Sequence, residues 1–318
     1  MQKFVLLVGV FFLLLSFGSC KKKPKDRWQD TLNKGIIKIA CDENFSVFMD
    51  AAIDAFEVHT DFAVINPIYS NEDEVIRLLM EDTVRFALTT RDLNAKEQKE
   101  AKEKRMNVRK FLIAFDGIAI IANKANPDSL LGLPTIKKIL TGEITEWSQI
   151  NPQSPLGTIR VIFDNNQSGI LRYVVDSITR GESLSPNLYA MNKSDELIER
   201  ICEFQNAIGI LGYNQIDESR WNTSGLNEKL RLMRVGKDEN ATLQNTYLPY
   251  SGDLEKDDYP LWREVYVLLS DPRSGLSSSF SIFLAHDVGQ TVILKSGLLP
   301  AIIDRQNRRS VYINDLNN

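Results

Sequence analysis

Beyond residue 28 the apolar positions follow two alternating rhythms: short β-branched runs, and longer stretches with apolar residues every three or four positions. That alternation predicts an α/β fold with largely parallel strands. Residues 35–40 form the first predicted strand. A helix over 46–58 follows, with Phe48, Met49, Ala52, Ile53 and Phe56 on one face and Asn44 or Ser46 as its cap. Strand 63–69, helix 72–81 and strand 84–89 continue the pattern, and Thr90 to Asn94 supplies a turn and cap. Residues 95–105 (AKEQKEAKEKR) lack an apolar stripe, so that helix is predicted to be a solvated face.

Strands over 108–114 and 117–122 meet at Phe115-Asp116-Gly117, a predicted crossover between two lobes. A helix starts at Leu133-Pro134, and strand 159–163, polar loop 164–169 and helix 170–178 form a second strand, loop and helix unit. Strands over 207–213 and 230–235 precede a return to the first lobe near 247–250. Strand 264–269 and one long helix over 277–294, weakly broken at Gly289, complete the pattern. Trp147 and Trp262 read as packing residues, and Phe280, Phe283 and Val288 as core on the long helix.

The N-terminus has a different pattern. Lys3 precedes an apolar run from Phe4 to Leu15 that closes on Phe17-Gly18-Ser19-Cys20. A charged start, a short apolar core and small residues at the cut predict an export signal over 1–19, too short for a stable membrane span. Cys20 then becomes the first mature residue and carries lipid, and residues 20–30 form a basic tether (KKKPKDR over 21–27). The expected location is the cell envelope, anchored to a membrane and facing the periplasm. The first 27 residues carry +5, leaving −9 on the remainder of a chain whose net charge is −4. An acidic exported domain without a concentrated basic face makes nucleic acid a poor partner.

Once Cys20 is assigned to lipid, Cys41 and Cys202 read as buried thiols, with their pairing left open. His59 and His286 are too far apart in sequence for a histidine-based metal or triad motif, so neither metal nor cofactor is expected. Asp116 with His286 is the pair that can be cast as acid and base. No nucleophile joins them, and the chain does not read as an enzyme.

The roughly 290 exported residues suit two lobes of ordinary size. The expected architecture is α/β, two Rossmann-like lobes with a central cleft and two crossover strands. Lobe 1 is expected over 31–115 plus 249–318, and lobe 2 over 116–248. Each lobe aims strand ends and helix N-termini at the cleft, where ligands of open α/β sheets bind. Asn44, Phe45, Ser70, Thr89, Thr90 and Arg91 are expected on one wall, and Asn165, Asn166, Gln167, Ser168 and Gly169 on the other. Gly169 lets the backbone approach a ligand closely. Ser, Thr and Asn at such positions also serve simply as helix caps.

Several segments carry a family resemblance in order along the mature chain. They include Thr89-Thr90-Arg91-Asp92-Leu93-Asn94, Phe115-Asp116-Gly117-Ile118, Ile139-Leu140-Thr141-Gly142-Glu143-Ile144-Thr145-Glu146-Trp147, Ser168-Gly169, and Ala207-Ile208-Gly209-Ile210-Leu211-Gly212-Tyr213. From about residue 31 onward the chain resembles the phosphate-binding proteins of phosphate ABC transporters, within the type II periplasmic binding proteins. The resemblance implies a monomeric hinged receptor that captures phosphate or a related oxyanion and hands it to an ABC permease in the inner membrane. By position, Ser168 and Gly169 match the family's helix-start loop, Ser70 a serine of the opposite lobe, and Asn44-Phe45 its first loop.

The chain also departs from the family. Asp164 stands where the loop usually begins with arginine, Ile170 where threonine follows Ser-Gly, and Thr90 where a carboxylate accepts the proton of hydrogen phosphate. Asp42 and Glu43 add acid to the first loop. Either Arg91 supplies the lost countercharge, or the ligand is not phosphate. The alternative is a degenerate receptor acting as a sensor or scaffold lipoprotein without a transport role.

Overall fold

A computed structural model describes residues 30–164, 168–191, 194–216 and 225–302. The signal over 1–19, Cys20 and the tether to residue 29, the loop residues Asn165, Asn166 and Gln167, and residues 303–318 lie outside the described residues.

In the first lobe β1 (Lys34–Asp42), β2 (Phe62–Ser70) and β3 (Phe86–Thr89) run parallel, with α1 (Ser46–Val58) and α2 (Glu72–Met80) as their crossovers. The bounds of α1 are those its apolar stripe predicts, and Phe48, Met49, Ala52, Ile53 and Phe56 are all buried. Its entry differs from expectation. Asp42, not Asn44 or Ser46, caps the turn before it, accepting a 3.0 Å hydrogen bond from the Asn44 amide. α3 (Ala95–Glu103) begins with a reciprocal Asn94–Glu97 capping box and buries only Ala101, as its charge pattern implies.

The two strands expected around Phe115-Asp116-Gly117 are one. β4 (Arg109–Asn123) runs unbroken through both lobes. Its first half pairs with β12 (Trp262–Leu269), and its second half with β8 (Ala207–Gly212) and β9 (Leu230–Leu232), all antiparallel. The strand order is β2-β1-β3-β12-β4-β8-β6-β7, where β6 is Arg160–Phe163 and β7 is Leu188–Ala190. The sheet is thus mixed at its centre and parallel toward its ends. The architecture is the expected one, two α/β lobes with a cleft between them.

β5 (Leu130–Gly132), β10 (Arg234–Gly236) and β11 (Thr246–Tyr247) form a small separate sheet. The predicted strand over 230–235 is therefore two strands that break at Met233 and pair with different sheets. α4 (Leu133–Thr141), α5 (Gly169–Tyr173) and α6 (Ser194–Glu203) pack on the second lobe. A π-helical segment, Val174–Thr179, continues α5.

Each lobe has its own core. Ile37, Ile39, Phe45, Phe56, Phe86 and Phe280 pack on one face of the first sheet, and Ala40, Val75, Ile76, Leu79 and Ala87 on the other. The second lobe packs around Ile120, Ile139, Trp147, Phe163, Leu197 and Ile210. Leu254, on the short α7 (Ser251–Glu255), together with Tyr259 and Leu261, belongs to that second-lobe core although all three follow residue 249. Hydrophobic packing thus carries second-lobe contacts up to the start of β12.

The long helix over 277–294 is two helices, α8 (Leu276–Leu284) and α9 (Asp287–Lys295), followed by β13 (Leu299–Pro300). The break falls at Ala285-His286, not at Gly289. A side chain on Gly289 would begin 2.3 Å from the Phe283 carbonyl oxygen, so this glycine is where the two helices touch. Val288 turns outward, 44% exposed, and is not core. Trp147 and Phe280 are fully buried, and Trp262 packs edge-on against Phe115. Cys41 and Cys202 are unpaired. No helix among the described residues is long and apolar enough to cross a membrane.

Candidate functional site

The cleft is built from the C-terminal ends of strands and the starts of helices. β1 and β2 end level, with Asp42 opposite Ser70. Asp42 is buried; its Oδ1 caps the following turn, while Oδ2 has no hydrogen-bond partner. Burial pushes the Asp42 carboxyl up to about 7; Arg263 pulls against that shift and Glu72 adds to it.

Arg263 is the centre of the site, and the sequence reading missed it. It lies on β12 directly opposite Asp116 on β4, and its Nε donates a 3.0 Å hydrogen bond to Asp116 Oδ2. Both side chains are fully buried. The guanidinium also sits 5.2 Å above the centre of the Phe45 ring. Burial disfavours its charge, but Asp116, Asp42 and Glu72 outweigh that and hold it more firmly protonated than usual. Its NH1 makes no hydrogen bond. That terminus points at Gly169: a side chain there would begin 2.9 Å from Arg263 NH1, 2.8 Å from Thr90 Oγ1 and 3.3 Å from Asp42 Oδ2. Groups from both lobes converge on the start of α5.

Other contacts join the lobes. Arg172 on α5 donates from Nε to Glu72 Oε2 at 2.8 Å and from NH2 to Thr90 Oγ1 at 2.9 Å. Glu72, the first residue of α2, also accepts hydrogen bonds from the Thr90 amide at 2.7 Å and hydroxyl at 2.6 Å. Burial alone would raise its carboxyl, but Arg172 and the Thr90 hydrogen bonds overcome this and hold it below the ordinary value. On the far side of the cleft, Asn214 Nδ2 donates 2.8 Å to the Asn44 carbonyl, and Gln215 Nε2 donates to the Asn44 side chain.

Asn44, Phe45, Thr90 and Gly169 of the expected set come together here, and Ser70 flanks Asp42. Ser168 caps α5, its Oγ accepting from the Leu171 amide at 3.1 Å, and Thr89 holds the local turn through the Arg91 backbone. Asn165 and Gln167 lie outside the described residues. Arg91 has other partners than a bound anion. It bonds both carboxylate oxygens of Glu97, at 2.7 and 3.0 Å, and Asp73 at 3.1 Å. The countercharge nearest the α5 start is Arg263. Asp164, in the position of the family's arginine, is buried. Asp116 and His286 do not meet: Asp116 serves Arg263, and His286 is an exposed residue ahead of α9.

Two signals for the missed residues were present in the sequence. Arg263 falls in phase with the buried Val265 and Val267 of its strand, and Glu72 with Val75, Ile76 and Leu79 of its helix. A charge in phase with a buried row needs a partner.

Comparison with known proteins places the chain in a family. The family described as the PBP superfamily domain matches residues 29–288. Phosphate-binding protein PstS from Staphylococcus epidermidis and from Staphylococcus aureus are each 22% identical over 209 residues, covering 64% of this chain and 60% of theirs. The match thus spans less than two thirds of those relatives. A Clostridium perfringens protein with bound phosphate, described as a candidate phosphate ABC transporter substrate-binding protein, superposes with a TM-score of 0.69 at 22% identity, covering 84% of this chain and all of that one. An ABC-type phosphate transport receptor from Vibrio cholerae gives 0.63 at 22% identity, with the same coverage. At these identities the superpositions speak to fold.

Proposed function

The chain belongs to the PBP superfamily, and on that premise we propose that it is an extracytoplasmic solute-binding protein that captures phosphate or a related oxyanion between its lobes. The observation that carries the reading is the free NH1 terminus of buried Arg263, aimed at the start of α5 beside Thr90 and Asp42. Arginine grips oxyanions through directed pairs of N–H donors, and the first amides of a helix extend that set. In this reading Asn44, Phe45, Ser70, Thr90, Ser168 and Gly169 line the site, and Arg263 takes the role expected of Arg91. Asp42, titrating near 7, is the group able to share a proton with hydrogen phosphate. Relatives named as phosphate-binding proteins support the ligand class.

Delivery to an ABC permease, anchoring through lipid on Cys20 and a monomeric state complete the proposal. No reaction is assigned to the chain. A second reading, a sensor or scaffold that has lost solute capture, is favoured by the contacts of Arg172 with Glu72 and of Asn214 with Asn44, which hold the lobes together through the protein's own groups. Calorimetric titration with phosphate, sulfate and molybdate separates the two. Binding of phosphate by the wild type, reduced at least tenfold by Arg263→Lys in a variant that still folds, supports capture. No heat with any of the three anions sinks it in favour of the sensor.

A further inference from the structure

We propose that the open face of β1 and β2 seats the first lobe on an anionic bilayer, which makes it a second point of membrane contact beside the anchor. The proposal rests on the reading of Cys20 as lipidated. Along β1, Lys34, Ile36 and Lys38 point to one side, and the parallel register sets Phe62, Val64 and Asn66 of β2 beside them. Further along the same side, Ala40 and Ile68 are covered by α2 through Val75, Ile76 and Leu79. The helix does not reach the strand beginnings. Ile36 is left 73% exposed, Phe62 72% and Val64 43%, with Leu32 nearby at 50%. β2 is moreover the end strand of its sheet. Clustered apolar side chains rimmed by polar ones on an open sheet mark a contact surface.

The length of chain before the first described residue and the charge of the face point to the occupant. Asp30, the first described residue, packs against Gly35 at the start of β1, accepts a 2.6 Å hydrogen bond from the Leu276 amide, and is followed by a bridge between Thr31 and Lys34. Gly35 shares its side of β1 with Ile37 and Ile39, which pack with Leu276, so Asp30 lies on the covered face opposite Ile36 but at the same strand-start end of the lobe. Ten residues from Cys20 to Asp30 span at most about 35 Å, which keeps this face within reach of the bilayer. Charge favours the same orientation. The domain is acidic and repelled by anionic headgroups, whereas this face carries Lys34 and Lys38, with Asp61 at its border. An aromatic ring flanked by lysines is suited to the headgroup layer. Asp42 and Ser70 lie about 20 Å further along their strands, so a seated lobe leaves the cleft open.

The test uses the full chain expressed with its leader, recovered from membranes and reconstituted into vesicles of phosphatidylglycerol and phosphatidylethanolamine. Mass measurement of the N-terminal peptide reports lipid on Cys20, and hydroxyl-radical footprinting reports accessibility of side chains. We expect labelling of Ile36, Phe62 and Val64 to fall at least threefold on anionic vesicles relative to detergent, with Ile282, also exposed, unchanged. The double variant Phe62→Glu/Val64→Glu, at two exposed positions that leave the fold intact, is expected to remain anchored but to show no protection at Ile36. Lipid on Cys20 with unchanged labelling overturns seating while leaving the anchor standing. An unlipidated Cys20 removes the tether and overturns both. Protection that persists in detergent and grows with protein concentration indicates a second copy of the chain and likewise overturns the proposal.

Discussion

Arg263 and Asp116 stand directly opposite each other on antiparallel β12 and β4, at the level where β4 passes from one lobe into the other. Their ion pair, 2.9 Å at its shortest and fully buried, therefore joins the crossover to the cleft. Removing one partner leaves the other charged in a dry interior. Arg263→Met is expected to lower stability by about 3–5 kcal/mol, and the double variant Arg263→Met/Asp116→Leu to recover most of that loss. Urea unfolding of the wild type, both single variants and the double variant reads the coupling. A double variant no better than Arg263→Met would show that the pair is not the unit that matters.

Asp42 makes a prediction about pH with a definite sign. Its carboxyl is raised from 3.8 to about 7 in the folded protein, so between those values the native state binds the extra proton. Stability contributed by this group is present at acid pH and is lost as pH rises through about 7, with a limiting slope of about 1.4 kcal/mol per pH unit. Glu72, held below its ordinary value, acts in the opposite direction and loses its contribution only in more acidic solution. Asp42→Asn, which fixes the neutral form, is expected to approach the wild type as pH falls toward 4 and to exceed it by a margin that grows until about pH 7. Thermal unfolding across pH 4.5–8.5 checks this, and parallel curves for the two proteins would contradict it.

The contrast between what the sequence revealed and what it concealed follows from the range of each determinant. α1 has a local apolar stripe, so its limits are readable from thirteen neighbouring residues. The Arg263–Asp116 pair depends on a strand register between positions 147 apart, and no local pattern carries that register. Arg91 looked like the countercharge because it stands in the loop, yet Glu97, brought near by the α3 capping box, binds it with two hydrogen bonds. The break at Ala285-His286 was hidden for a related reason: the apolar spacing runs straight across it, and only the packing of α8 on α9 shows that two helices are present.

Gly289 tests that last point against helix propensity. In the interior of a single long helix, Gly289→Ala would stabilise by about 1 kcal/mol. Here the new methyl would start 2.3 Å from the Phe283 carbonyl oxygen and 2.5 Å from the Leu284 Cα, both backbone atoms that cannot swing aside. The expected result is a loss of about 1–3 kcal/mol through overpacking. The sign of the change in melting temperature decides between the two.

Gly169→Ala makes the same argument for the cleft, with a different consequence. Its methyl would lie 2.8 Å from Thr90 Oγ1 and 2.9 Å from Arg263 NH1, atoms of the opposite lobe and of the crossover. The obstruction exists only while the lobes are together, because each lobe keeps its own core when they part. The variant is therefore expected to retain the unfolding midpoint of the separate cores while shifting the population toward the open form. Small-angle scattering should show a larger radius of gyration for Gly169→Ala than for the wild type, and the contacts of Arg172 with Glu72 should weaken with it. Because Arg172 is one-third exposed, that pair alone is worth at most about 1 kcal/mol and cannot hold the lobes against the clash. An unchanged radius would mean that the α5 start yields without opening, and that closure in this protein is set by Asn214 and Gln215 on Asn44.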